Sequence, residues 1–238
     1  EEYLESIFNK TTIVRVDRDS TRKKYFMKDM NEKISQGGPC ILIGTQMLAK
    51  GHDFKHITSV FVLDADAELF HPDFKSQERL GQLLTQVAGR GGRGISSSEI
   101  FLQTYYPNHP LLEKLTNGNY KEFLQEIGKE REITSMPPFS FITLIRANSV
   151  NEKNVIDFLS LVRKMAELVE PQSSQNQYLG PIPSMLEKRA GRYRYNFQIK
   201  THTRSKMHIL LTKLLEQLSK TKSYSNVRWS IDVDPIEL

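Results

Sequence analysis

Three neighbouring stretches decide the fold: "ITSVFVLDADAEL" (57–69), "SQERLGQLLTQVAG" (76–89) and "SEIFLQTYY" (98–106). The first and last are short apolar runs of strand character. The middle one places Leu80, Leu83, Leu84 and Val87 at helical spacing, which predicts a helix with one apolar face. A strand, a helix and a second strand in this order make a crossover unit, and such units join parallel strands with right-handed connections. The pattern repeats upstream: "TIVRVDRD" (12–19) and "CILIGTQML" (40–48) are strand-like, and "TRKKYFMKDMNEKISQ" (21–36) is a helix stopped by Gly37-Gly38. Residues 1–106 are therefore expected to be an α/β domain, with a mostly parallel sheet covered on both faces. Such sheets bind ligands at the loops that follow their strands.

Further out, residues 107–138 are predicted to be a helical connector, interrupted at Pro110 and stopped at Pro137-Pro138. From 139 to 238 comes a small α/β domain of order β-α-β-β-α-β. It comprises strand 141–149, helix 152–170, strands in 178–191 and 194–202, helix 205–220 and strand 227–234. That order is the ferredoxin-like arrangement.

The chain has 238 residues, and Lys+Arg 33 against Asp+Glu 28 leaves +5. This is a mild leaning toward polyanions and decides little alone. A single cysteine, Cys40, excludes an internal disulfide framework and a multi-cysteine zinc site made by this chain. At the head of an apolar strand it is expected to act as a small buried hydrophobe. No apolar run approaches the roughly 20 residues that span a bilayer. A soluble, cytoplasmic, monomeric protein is the expectation. The start at Glu1, inside the helix-like "EEYLESIFNK", suggests a segment of something longer.

Two motifs carry chemistry. In "GTQMLAKGHDF" (44–54), a strand ends at Thr45 and Gln46, and Lys50-Gly51 adds a cation beside an unobstructed backbone amide. Hydroxyl, amide and backbone groups fix phosphate chains, although any strand can end in a polar turn. In "TQVAGRGGR" (85–93), Arg90 and Arg93 stand among glycines directly after the helix, with Gln86 one turn earlier. Glycine lets backbone approach a ligand, and guanidinium offers a planar fork of donors suited to phosphate.

Together these motifs resemble motifs V and VI of superfamily-2 helicases. Nearly the whole chain resembles the C-terminal part of the primosomal replication-restart helicases (primosomal protein N′). The resemblance also runs through "RVDRDST", "VLDADAELFHPDFKSQERLGQLL", "LQTYYPNHPLL", "MPPF", "LGPIP", "GRYRYNFQIK" and "DVDP". It implies that 1–106 is a RecA-like second motor lobe of an ATP-dependent 3′ to 5′ DNA helicase. Gly51 and Asp53 would lie near ATP, while Thr45, Gln46 and Lys50 would face DNA. Gln86, Arg90 and Arg93 match Q-x-x-G-R-x-x-R and would approach the terminal phosphates of ATP and Mg²⁺ held mainly by another lobe. The family's phosphate-loop pattern, its D-E-x-H and its zinc-binding cysteine pairs are missing from these 238 residues. The chain by itself is therefore expected neither to hydrolyse ATP nor to unwind DNA. Forked or branched DNA, single-stranded-DNA-binding protein and other primosome proteins are the partners the resemblance implies.

In "EKRAGRYRYNFQIK" (187–200), alternation along a strand would send Arg192 and Arg194 to one face and Tyr193, Tyr195 and Phe197 to the other. This is either a patch contacting the backbone of branched DNA, or an edge strand with its rings in the core and its cations in water. Arg204 and Lys206 in "HTRSKMH" stand at a helix start, where cations oppose the helix dipole. Arg204 is thus a candidate contact for the acidic tail of single-stranded-DNA-binding protein. Asp64 and Asp66 are expected to turn the strand and cap the next segment. His52 and His56 lack a third ligand, so no metal site is expected. Trp229, alternating with Val227 and Ile231, is expected in the core. The rival readings are a DNA- or protein-binding module with vestigial motor motifs, and an adaptor that binds protein alone.

Overall fold

A computed structural model describes residues 1–16, 38–44, 58–91, 99–221 and 224–237, apart from the side chains of 89–91. It is a mixed α/β structure with small sheets. The chain divides into two units, one of Glu1–Phe70 and Gln77–Phe123, the other of His71–Ser76 and Leu124–Leu238.

The first unit opens with helix α1 (Glu2–Ile7). Strands β1 (Thr12–Val16) and β2 (Cys40–Gly44) pair in parallel, Thr12 opposite Cys40. Strands β3 (Ser59–Val62) and β4 (Glu99–Leu102) form a second parallel pair, and among the described residues the two pairs are separate sheets. The strand expected over 57–69 ends early. Asp64 adopts a left-handed backbone at φ 52°, and helix α2 (Ala65–Leu69) follows. Ala65 and Leu69, one helical turn apart, are its buried residues, so a helical period was hidden in an apparently extended run. Asp64 turns the chain through its backbone and makes no side-chain cap. Asp66 does the fastening: its carboxylate accepts the Thr104 hydroxyl at 2.5 Å and the Tyr105 amide at 2.8 Å. Burial on both faces does not extend to β3 and β4, where the cross-strand pair Phe61 and Phe101 stacks at 4.8 Å in the open.

Helix α3 (Ser76–Gly91) buries Leu80 and Leu84. Helices α4 (Pro110–Thr116) and α5 (Tyr120–Ile133) follow β4. Pro110 starts α4 rather than interrupting a helix, since a first-turn residue needs no amide donor. Gly81 is where α3 meets α5: a Cβ there would lie 2.2 Å from Cε1 of Phe123, a fully buried ring.

In the second unit, β5 (Phe141–Ser149), helix α6 (Glu152–Val169), β6 (Asn176–Arg189), β7 (Arg192–Thr201), helix α7 (Arg204–Ser219) and β8 (Arg228–Val233) follow in order. The antiparallel sheet runs β6-β7-β5-β8. Asn151 caps α6 by accepting the Lys153 amide, and Thr203 caps α7 by accepting the Lys206 amide. One sheet face carries Ile145, Ala147, Tyr195, Phe197 and Ile199, which share a core with Phe158 and Val162 of α6 and Leu210 and Leu214 of α7. Because β7 is interior, the edge-strand alternative for it does not hold. Trp229 points to the core side against Phe158 but stays 40% exposed, because β8 is itself an edge.

Candidate nucleic-acid interface

Strand register builds the site on the sheet face turned away from α6 and α7. Paired residues share a face, so Arg228, Asn148 and Arg194 form one row across β8, β5 and β7. Ser230, Arg146 and Asn196 form the next, extended onto β6 by Ile182. Arg189 and Arg192 pair beyond the first row, beside the turn that joins β6 to β7. The same face is closed at its other end, where Ile142 and Leu144 are buried. There the amide of Asp234 donates to the Ile142 carbonyl, and Lys75 Nζ donates to the Pro235 carbonyl. Burial also pulls the Lys200 ammonium below its usual range at this closed end.

The arginines differ in how their charge is used. Arg146 is neutralised by Asp232 and also donates to the Glu237 carbonyl at 2.7 Å. Arg192 donates to Asn148 twice, to Oδ1 at 2.6 Å and to the carbonyl at 3.2 Å. Both acceptors are neutral, so the side chain is held in place with its charge intact. Arg189, Arg192, Arg194 and Arg228 have no ion-pair partner among the described residues. A set of guanidinium groups without ion-pair partners among the described residues, Arg192 held in place by Asn148, and interleaved with Asn148, Asn196 and Ser230, suits phosphate oxygens and carries no base code of its own.

Of the residues singled out in the sequence, Arg192 and Arg194 come together here. Arg146, Arg228 and Asn148 join them unforeseen. Each sits on its strand at the parity of the second face, but the register that aligns three distant strands is not written in any one of them.

Gln86 lies half-buried on α3, and Arg90 is one helical turn further on, in the last turn of the helix. Thr45, Gln46, Lys50, Gly51, Asp53 and Arg93 lie outside the described residues, as do His52 and His56. Arg204 is the first residue of α7. Its guanidinium pairs with Asp234 at 3.1 Å and stacks 5.1 Å over the Phe141 ring. A cation at a helix start is thus compensated within the chain. Cys40 is half-buried rather than buried, and desolvation raises its thiol pKa.

A family model described as the primosomal protein N C-terminal domain matches residues 132–236. The replication restart protein PriA of Haemophilus influenzae is 39% identical over 238 residues, covering 100% of this chain and 32% of that protein. Its namesake from Bacillus subtilis is 34% identical over 236 residues, covering 99% and 29%. The Synechocystis namesake is 34% identical over 225 residues, covering 94% and 26%. The chain thus spans about a third or less of the length of these curated relatives. No helix among the described residues is long and apolar enough to cross a membrane.

Proposed function

This chain belongs to the family of the replication restart proteins PriA, and on that premise we propose that it serves replication restart by gripping the sugar-phosphate backbone of branched DNA with the helix-free face of its four-stranded sheet. The observation that carries this reading is the row of Arg228, Asn148 and Arg194 with Arg192 and Arg189 beside it, four of the five side chains being cations with no acid paired to them among the described residues. Contacts of this kind are electrostatic and tolerant of sequence. That suits a protein recruited by the shape of a fork. Support for a ferredoxin-like second domain at 139–238, after a connector at 107–138, comes from the β-α-β-β-α-β order and the strand order β6-β7-β5-β8.

The first hundred or so residues take the part of a RecA-like second lobe in an ATP-dependent 3′ to 5′ helicase. Parallel pairing of β3 with β4 across α3 supports that reading. Gln86 and Arg90 stand four positions apart in the closing turns of α3. With Arg93 they would meet the terminal phosphates of ATP and Mg²⁺ held mainly by another lobe, and Gly51 and Asp53 would border the nucleotide. The nucleotide supplies the free energy of phosphoanhydride hydrolysis; these side chains supply positive charge where phosphate charge develops. Thr45, Gln46 and Lys50 would touch the tracking strand. Zinc belongs to cysteine pairs that these 238 residues lack. Arg204 remains the candidate for an acidic tail of single-stranded-DNA-binding protein, in competition with Asp234. Titration of such a tail peptide against Arg204→Ala tests that assignment, and unchanged affinity removes it.

The DNA reading is tested by fluorescence anisotropy with a labelled fork. Arg194→Ala combined with Arg228→Ala should weaken binding about tenfold or more, as expected for two lost phosphate contacts. Equal affinity would place the DNA site elsewhere.

A further inference from the structure

We propose that the bulge in β6 is an apolar wedge that packs against unpaired or unstacked bases at a DNA branch, while the neighbouring arginines hold the flanking phosphates. The inference rests on the DNA-binding reading above and adds to it a second kind of contact, with bases.

The register between β6 and β7 locates the wedge. Pro183 lies opposite Tyr195 and Lys188 opposite Tyr193, so the four residues 184–187 of β6 face the single residue Arg194. The irregularity is bracketed by ordered pairing on both sides. Before it, Ile182 pairs with Asn196 and Pro183 with Tyr195, and Ser184, the first residue of the bulge, is tied down by donating its hydroxyl to Asn196 Oδ1 at 3.1 Å. After it, Lys188 Nζ stands 4.4 Å over the Tyr193 ring, and the hairpin closes through Ala190 and Gly191 at φ 48° and 73°. A two-residue turn with positive φ at both positions matches strand twist. The extra residues are therefore a defined bulge rather than a frayed end, and bulges re-aim side chains.

What the bulge presents is unusual for a soluble edge. Met185 is 76% exposed and Leu186 54% exposed. Arg194 is the residue opposite the bulge and Arg189 pairs with Arg192 just beyond it, cations with no ion-pair partner among the described residues, while Glu187 is the one acid within the bulge. Strand addition is blocked here, because Pro181 and Pro183 lack amide donors and the bulge breaks the ladder. The surface therefore asks for a ligand that is anionic at its margins and apolar at its centre, without being a strand. Stacked duplex offers only the first property. A branch offers both, since bases at a junction expose their faces and cost least to unstack. Exposed Met and Leu are among the side chains that proteins wedge between bases while cations hold the adjoining backbone.

The test uses 2-aminopurine at the first base of a fork junction, with a plain duplex of the same sequence as comparison. The saturating 238-residue chain should raise the junction fluorescence about twofold or more. Met185→Ser with Leu186→Ser should abolish that rise while plain-duplex affinity stays within about twofold, and Met185→Leu with Leu186→Met should retain it. A rise of wild-type size in the serine variant overturns the wedge and leaves the arginine face standing. So does bound wild-type chain with no rise. Absence of binding to either DNA overturns both.

Discussion

At the residue scale, two tyrosines decide how firmly α6 is held on the sheet that carries the arginines. Tyr195 of β7 donates its hydroxyl to Glu152, the first residue of α6, at 2.5 Å, and its pKa is pushed up to about 12, first by that bond and then by burial. Tyr178 of β6 donates to the carbonyl of Glu170, just past the helix, at 2.7 Å; its pKa also rises to about 12, mainly through burial. Both groups hold their proton more tightly folded than unfolded, where a tyrosine titrates near 10. Their contribution is complete below pH 10 and disappears as pH climbs through about 12. The urea midpoint should therefore fall between pH 10 and 12, and fall less in Tyr195→Phe. That variant should be about 1.5 kcal/mol less stable at neutral pH, the scale of a hydrogen bond to a carboxylate. Equal midpoints at neutral pH, or parallel decline in both proteins, would contradict the role given to this bond. The inward placement of Tyr195 and Phe197 could be read from alternation alone. The exposure of Trp229 could not, because alternation names a face but is silent about whether the strand stands at an edge.

At the element scale, α3 shows how much a pattern can and cannot carry. Its apolar positions announced the helix, and Leu80 and Leu84 are buried as the spacing requires. Gly81, unremarkable in the sequence, is fixed by a partner far along the chain: the Phe123 ring leaves no space for a Cβ. The end of the helix carries Arg90, the arginine proposed to meet phosphate. Arg90 stands in the last turn, where a cation complements the dipole, so a structural reason for it exists alongside the phosphate-facing one. The two separate in a longer protein that carries both lobes. There Arg90→Ala should lower ATP turnover about 10³-fold or more with fork binding unaltered, whereas a purely structural arginine would leave turnover near normal. The run at 57–69 was misleading for a definite reason. The left-handed backbone at Asp64 ends β3, and Ala65 with Leu69 satisfies either a strand or a helix until the turn is seen.

At the scale of the whole molecule, the order of elements in the second unit was legible from 141 onward, since each strand and helix carried its own period. The arginine face was half legible. Arg192 and Arg194 stood out by their spacing, but Arg146 and Arg228 are brought beside them by pairings 50 and 80 positions apart, Arg146 with Asn196 in the next row and Arg228 with Asn148 in the row of Arg194 itself. Only tertiary structure makes them neighbours. A net charge of +5 understates this surface, because acids elsewhere cancel cations that are not on it. The most direct test is the salt dependence of fork binding, plotted as log Kd against log NaCl concentration. Four uncompensated arginines on phosphates should give the association constant a slope of about −3.5, and removing Arg194 and Arg228 should flatten it by about 2. Affinity indifferent to salt, or a slope unchanged by those two substitutions, would contradict a phosphate grip by this face.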